Sequence, residues 1–371
     1  MNRKLLLIFI FSISFIFIHA QNKNEITILY LLPFHSQENF ARISSLKSSS
    51  EIYQIKQFEM MGFWLGAKMA LQEYNYIDKK INVIVRDVVT DLVKLQKIFS
   101  DSILMKQVNL IIGPIYGSLF PVAAQYAKDH NIIIVNPFST RFDFVDNNPN
   151  VYKLVPSFIY RPEMLHKVFI VSPDEYNVIL WSDSVPTPEM QAYKYYFNKN
   201  NIPFKEVCSL YLPQNSTKKN LIIAFFENQT QVIHNVHTIL NFDMQNNVLV
   251  VPEKWLNISE LTDDFYGLSH LYYFANYFAD KKNEDVKQFQ SDHILYYETP
   301  PELAAYSYQG YDITRYFIDL YFADFDADKV NFKPLSYKFN WKHIPNGGFE
   351  NTIPRLIQIK DFELEEVINN D

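Results

Sequence analysis

The sequence predicts an α/β protein of two lobes, each a parallel-rich sheet flanked by helices. Apolar, β-branched runs of strand length alternate with segments of helical period, which is the pattern of buried parallel strands joined by crossover helices. The alternation restarts past the middle of the chain, and 371 residues exceed one comfortable hydrophobic core.

The chain opens with Arg3 and Lys4, an almost wholly apolar stretch from Leu5 to Ile18, and the small residue Ala20. That layout predicts a secretory signal over 1–20, cut before Gln21. Ile18 stands where a second small residue is usual, so an uncleaved membrane anchor remains the alternative. No cysteine follows the apolar run, and no later stretch approaches the roughly 20 apolar residues of a membrane span.

Strands are expected at 26–34, 81–86, 110–113 and 132–136, with helices over 58–76, 91–106 and 118–130 between them. Residues 35–57, polar and serine-rich, read as a long loop or irregular excursion. The second series places strands at 177–182, 206–212, 221–226 and 247–252, with helices over 188–200 and 229–242. A long helix over 301–322 follows, and short strands around 336–342 and 354–360 end the chain. Gly347-Gly348 reads as a turn.

Without Arg3 and Lys4 the 34 basic residues become 32 against 41 acidic, a formal charge of −9 before histidine is counted. Such a surface repels phosphate backbones, and no basic stripe is present to bind nucleic acid. Cys208 is the single cysteine, so it forms no intramolecular disulfide; its apolar surroundings, VCSLYL, predict a buried small hydrophobe. The common signatures of zinc proteases, P-loop nucleotide binding, dinucleotide binding and serine hydrolysis are absent. His234 and His237 share one helical face without a third ligand, the pattern of a surface pair rather than a metal site. Neither enzyme, cofactor nor metal is expected.

From Glu59 onward the order of features becomes specific: GFWLGAKMALQEYN with Gly62 and Gly66 one turn apart, then INVIVRDVVTD, IIGPIYGS, IIIVNPFST, VVPEKW at 250–255, GYDITRYF at 310–317 and GGFENTIPRLIQI at 347–359. The glycine pair is expected to let its helix approach the sheet closely. This succession resembles the type I periplasmic ligand-binding proteins, the leucine/isoleucine/valine-binding kind, in a branch common in Bacteroidetes-like bacteria. The resemblance spans about Ile26 to Ile359 and implies two rigid lobes on a three-strand hinge. It assigns 21–156 plus 280–325 to the first lobe and 157–279 plus 326–371 to the second. Ligand is then expected at the carboxyl ends of the strands.

The same resemblance selects the candidate ligand residues. Gly113 to Ser118, with Tyr116 and Gly117, runs from a strand end into a helix start, where free N–H groups suit a carboxylate. Ser118 either donates to ligand or caps its own helix. Phe138, Ser139 and Thr140 follow the next strand; Thr140 matches a family contact to an amino acid, and Phe138 replaces a smaller residue. Glu253 corresponds to the acid that pairs with a ligand ammonium, and Trp255 is either an aromatic wall or core. Where the family carries Tyr-Gly, this chain has Thr187 and Pro188, leaving Asp183 as an alternative cleft contact or as the cap of the following helix. The implied function is an extracytoplasmic solute-binding protein. It closes on a small polar ligand, an amino acid or short peptide-like solute, for a membrane transporter. The competing reading is a cell-envelope interaction or sensing protein whose cleft has degenerated.

Overall fold

The computed structural model describes residues 24–367 apart from 44–47, 49–50, 52–58, 77, 171–174, 184–185, 210–217, 227, 241–245, 259–265, 269 and 361. The expected signal over 1–20 lies outside the described residues. The first series is β1 (Glu25–Leu32), α1 (Ser36–Ile43), α2 (Glu59–Gln72), β2 (Lys80–Asp87), α3 (Leu92–Ser100), β3 (Leu110–Ile112), α4 (Phe120–Asp129), β4 (Ile133–Asn136) and β5 (Val151–Lys153). The second is α5 (Arg161–Phe169), β6 (Tyr176–Trp181), α6 (Pro188–Lys199), β7 (Phe204–Val207), β8 (Lys219–Ala224), α7 (Gln229–Leu240), β9 (Asn247–Val251) and β10 (Leu271–Ala275). The chain then adds α8 (Glu284–Tyr297), α9 (Ser307–Phe322), β11 (Trp341–His343), β12 (Phe349–Asn351), β13 (Arg355–Lys360) and β14 (Glu363–Glu366).

These strands form two seven-stranded sheets, in the orders β11-β12-β5-β4-β3-β1-β2 and β14-β13-β10-β9-β8-β6-β7. From β5 to β2, and from β10 to β7, every pair is parallel, as crossover helices on both faces require. Central strands are buried on both faces, which explains their continuous apolar sequences: β1 packs Ile26, Ile28 and Tyr30 into one core layer and Leu29 and Leu31 into the other. Edge strand β7 leaves Lys205 and Glu206 exposed and ends at Val207. Cys208 follows it and is exposed, not buried as its apolar neighbours suggest, because an edge strand has no second face of helices over its end.

The sheets correct the expected division at one point. β11 and β12 belong to the first sheet, so 341–351 is not in the second lobe. β12 runs parallel to β5 with Phe349 opposite Tyr152, their rings stacked at 4.6 Å, and this aromatic contact holds the strand in the first lobe. The chain therefore passes between sheets three times: between β5 and β6, between β10 and α8, and between β12 and β13. Residues 35–57 are not wholly irregular, since α1 occupies the start of that stretch. The helix expected over 301–322 begins only at Ser307, after Tyr306 in the left-handed conformation, φ 66°. β10 and α8 lie where no element was expected; LYYFA is aromatic-rich without alternation, and α8 has no wide apolar stripe.

Gly62 and Gly66 do not serve contact with the sheet. They face α9, where a Cβ on Gly62 would lie 2.2 Å from the Ala305 carbonyl oxygen and one on Gly66 1.8 Å from that of Ser307. Gly310 completes the crossing, since its Cβ would meet the Phe63 carbonyl oxygen at 1.8 Å. Two backbones in contact leave no room for any side chain, and neither can yield without moving its helix. Ser307 Oγ donates to the Gly62 carbonyl at 3.0 Å, and Tyr30 and Thr314 share a hydroxyl hydrogen bond of 2.8 Å beneath the crossing.

The passages between lobes are held by buried polar groups. Lys153 Nζ donates to Glu350 at 2.9 Å and to Ser157 Oγ at 3.2 Å, while Glu350 also accepts from the Ser157 amide at 3.1 Å and the Tyr160 hydroxyl at 3.0 Å. Asp312 on α9 accepts from the amides of Leu335, Ser336 and Tyr337 at 2.7, 2.6 and 3.1 Å, gathering that segment onto the helix. Arg355 donates to the carbonyls of Phe278 and Ser336 and pairs with Glu366 at 2.7 Å, which ties the second and third passages together.

Two outcomes are expected in urea unfolding. Gly66→Ala and Gly310→Ala each lose about 3 kcal/mol or more, because the added methyl must push the paired helices apart. Glu350→Ala loses about 3–5 kcal/mol by leaving Lys153 buried and unpaired, and the double variant Lys153→Met/Glu350→Leu recovers most of it.

Candidate functional site

Strands β8, β9 and β10 end at one edge of the second sheet, and their last residues floor a cavity of about 250 Å³. Ile223, Ala224, Val250, Val251 and Phe274 form that floor, Arg161, Glu189 and Glu253 supply charge, and Thr140 reaches in from the first lobe. This is the carboxyl-end crevice where open α/β sheets take ligands.

Glu253 begins the single 3₁₀ turn Glu253–Asn257, and Pro252, at φ −62° and ψ 134°, holds the chain extended just before it. Among the described residues its carboxylate has neither hydrogen bond nor ion pair. Burial pushes its pKa up to about 7, and the Arg161 guanidinium opposes that rise. Arg161 opens α5, donates to Glu189 Oε1 at 2.7 Å and lies 5.3 Å from the centre of the Phe274 ring. Glu189 is in the first turn of α6, where Thr187 accepts from the Met190 amide at 3.1 Å and Pro188 occupies the first turn. Thr187 is thus the cap of this helix, and Asp183 is not.

Glu253 also lines a second, larger cavity of about 660 Å³. Tyr266, Tyr273 and Leu364 of the second lobe, the passage from Tyr277 to Lys282, and Glu302, Tyr308 and Gln309 at the start of α9 enclose it. The Tyr273 hydroxyl is raised to well above the ordinary phenol range, first by burial and then by the neighbouring Glu253 charge.

Of the residues expected from sequence, Thr140 and Glu253 meet on one cavity. Tyr116, Gly117 and Ser118 line neither cavity; Tyr116 and Ser118 are exposed, and the Tyr116 hydroxyl lies 3.4 Å from His35 Nε2. Helix α4 begins two residues past Ser118 with Leu119 at the cap and no side-chain capping bond, so Ser118 caps nothing. Phe138 packs inward on Tyr306 at 4.7 Å and Phe63 at 6.0 Å. Ser139 is spent on its own turn: its amide donates to Asn136 Oδ1 at 2.7 Å and its Oγ accepts from the Arg141 amide at 3.2 Å. Asp183 lines neither cavity. Trp255 is core, fully buried with its indole N–H given to the Phe226 carbonyl at 3.1 Å.

Sequence reasoning missed Arg161, Glu189, Tyr273 and Gln309. Pro162 marks a helix start behind Arg161, but nothing local says that the helix end faces a carboxylate from residue 253.

No family model matches the chain, and no curated protein matches it. Solved structures do. An ABC transporter substrate-binding protein from Desulfitobacterium hafniense is 15% identical over 92% of this chain and 100% of its own, with a TM-score of 0.60. A putative branched-chain amino acid ABC transporter protein from Rhodospirillum rubrum is 11% identical over 92% and 100%, with a TM-score of 0.63. A branched chain amino acid ABC transporter periplasmic ligand-binding protein from Burkholderia xenovorans is 9% identical over 92% and 94%, with a TM-score of 0.59. The chain therefore has the two-lobed, type I periplasmic-binding-protein fold, two mostly parallel sheets flanked by helices.

The raised pKa of Glu253 makes a signed prediction for the ligand-free protein. Its folded pKa of about 7 exceeds the ordinary 4.5, so stability from this group is lost as pH rises from about 4.5 through 7. Glu253→Gln is expected to be more stable than the parent at pH 8 by on the order of 2 kcal/mol, allowing for partial exposure, with the gap closing by pH 5. Thermal unfolding across that range measures it.

Proposed function

We propose that this chain is an exported solute-binding protein that closes its two lobes on a small polar ligand and delivers it to a membrane transporter. One observation carries the reading: Glu253, half-buried and without a partner among the described residues, shares a between-lobe cavity with Arg161 and with Thr140 of the opposite lobe. An uncompensated carboxylate in such a place is costly for the ligand-free protein and is relieved by a ligand cation. The same cavity offers a guanidinium for a carboxylate, so a zwitterionic amino acid or a short peptide fits its charges.

The fold supports the reading, since hinge-linked lobes close around ligands in proteins of this architecture. One solved neighbour, the Desulfitobacterium hafniense protein at a TM-score of 0.55, holds Leu. The chemistry is binding without catalysis, and no nucleic acid is involved at this acidic surface. Arg3, Lys4 and the apolar stretch after them support export to the periplasm. Among the described residues no helix is long and apolar enough to cross a membrane. The placement of Ser118 and Tyr116 outside both cavities favours one other reading, a sensing or interaction protein of the cell envelope on the same scaffold.

Thermal shift and calorimetry with amino acids, amides and short peptides test the proposal. A true ligand raises the melting temperature by mass action, and Glu253→Ala weakens it by roughly 30-fold, the loss of one buried charge pair. A ligand set without any shift, with Glu253→Ala silent, leaves the sensing reading.

A further inference from the structure

The 660 Å³ chamber beyond Glu253 is several times what a free amino acid fills and lies in the range of about 300–1,000 Å³ that encloses larger organic ligands. Its polar groups sort into two sets. Several are already engaged: Glu302 accepts from the Tyr308 hydroxyl at 3.0 Å, Asp280 from the Lys282 amide at 2.8 Å, and Glu363 pairs with Lys282 at 2.7 Å. Others are not. Among the described residues, Glu253, the Tyr273 hydroxyl and the Gln309 side-chain amide have no hydrogen-bond partner, although all three line the chamber and Gln309 is only 2% exposed. The Gln309 amide opens on the chamber, and its pattern of acceptor and donors matches a peptide bond. Tyr277 and Phe278 add aromatic wall, and Lys281, exposed and without an ion pair among the described residues, is a cation on the same lining.

We infer that the ligand is a short peptide carrying an aromatic residue, with its ammonium at Glu253, its peptide amide at Gln309, its ring among Tyr277 and Phe278, and its carboxylate toward Lys281. This rests on the solute-binding reading above and narrows its ligand. Each lobe then contributes to the chamber, Glu253 and Tyr273 from the second and Gln309 from the first, so the peptide bridges the lobes and favours the closed form.

Calorimetry with leucyl-tyrosine and phenylalanyl-leucine against free leucine, tyrosine and phenylalanine tests it, using the full mature chain and the variants Gln309→Leu and Glu253→Gln. The expected result is dipeptide binding at least tenfold tighter than that of any of the free amino acids. Gln309→Leu should weaken dipeptides about tenfold, leave free amino acids within twofold, and keep or raise the melting temperature of the ligand-free protein. A merely structural amide would instead lower that melting temperature. Glu253→Gln weakens both classes. If free amino acids bind as tightly as the dipeptides, or Gln309→Leu leaves dipeptide affinity unchanged, the peptide assignment falls while solute binding stands. If neither class binds, both fall.

Discussion

The contact on which the rest of the molecule depends is the crossing of α2 and α9, where Gly62, Gly66 and Gly310 bring two helical backbones together. The helices are more than two hundred residues apart in sequence, and most of the second sheet is made between them. Their contact closes the first lobe after the chain has left it and returned. Ser307, at the first position of α9, places its hydroxyl 3.0 Å from the carbonyl of Gly62 and 3.1 Å from His293 Nε2, so α8 is set by the same junction. Gln309, two residues on, is thereby held at the chamber between the lobes.

The passages between the lobes combine buried charge with full hydrogen bonding. Burial pushes Lys153 toward its neutral form, and Glu350, held by Ser157 and Tyr160, opposes this. Glu253 is the contrast. It too is taken from water, yet Arg161 is committed to Glu189 and only partly offsets the cost, so its carboxyl titrates near neutrality. Structural carboxylates such as Glu350 and Asp312 are surrounded by donors, whereas this one faces the cavity between two lobes. Such an imbalance is the mark of a site built to be completed by something else.

Much of the fold was legible from period and composition. Strands buried on both faces, such as β1, β8 and β9, announce themselves as apolar runs, and Thr187-Pro188 marks a helix start by local chemistry. Where pattern and structure diverge, one cause recurs. Gly62 and Gly66 signal close approach but not to what; Trp255 signals an aromatic beside Glu253 but not which way it turns; VCSLYL signals burial where an edge strand simply ends. β12 belongs to a different lobe from the one its place in the chain suggests, because a three-residue strand is defined by its partner, here Tyr152 and Lys153, and not by its own residues.

By itself the sequence determined the α/β alternation, its two series and the acidic composition, because each depends on residue type and spacing along a few turns of chain, while the candidacy of Thr140 and Glu253 came from the resemblance that the ordered motifs carry. Only the tertiary structure decided which carboxylates are satisfied and which is not, that Arg161 stands in the crevice, and that Ser118 stands outside it. Those are properties of distances between segments that lie far apart along the chain, and no local pattern encodes them.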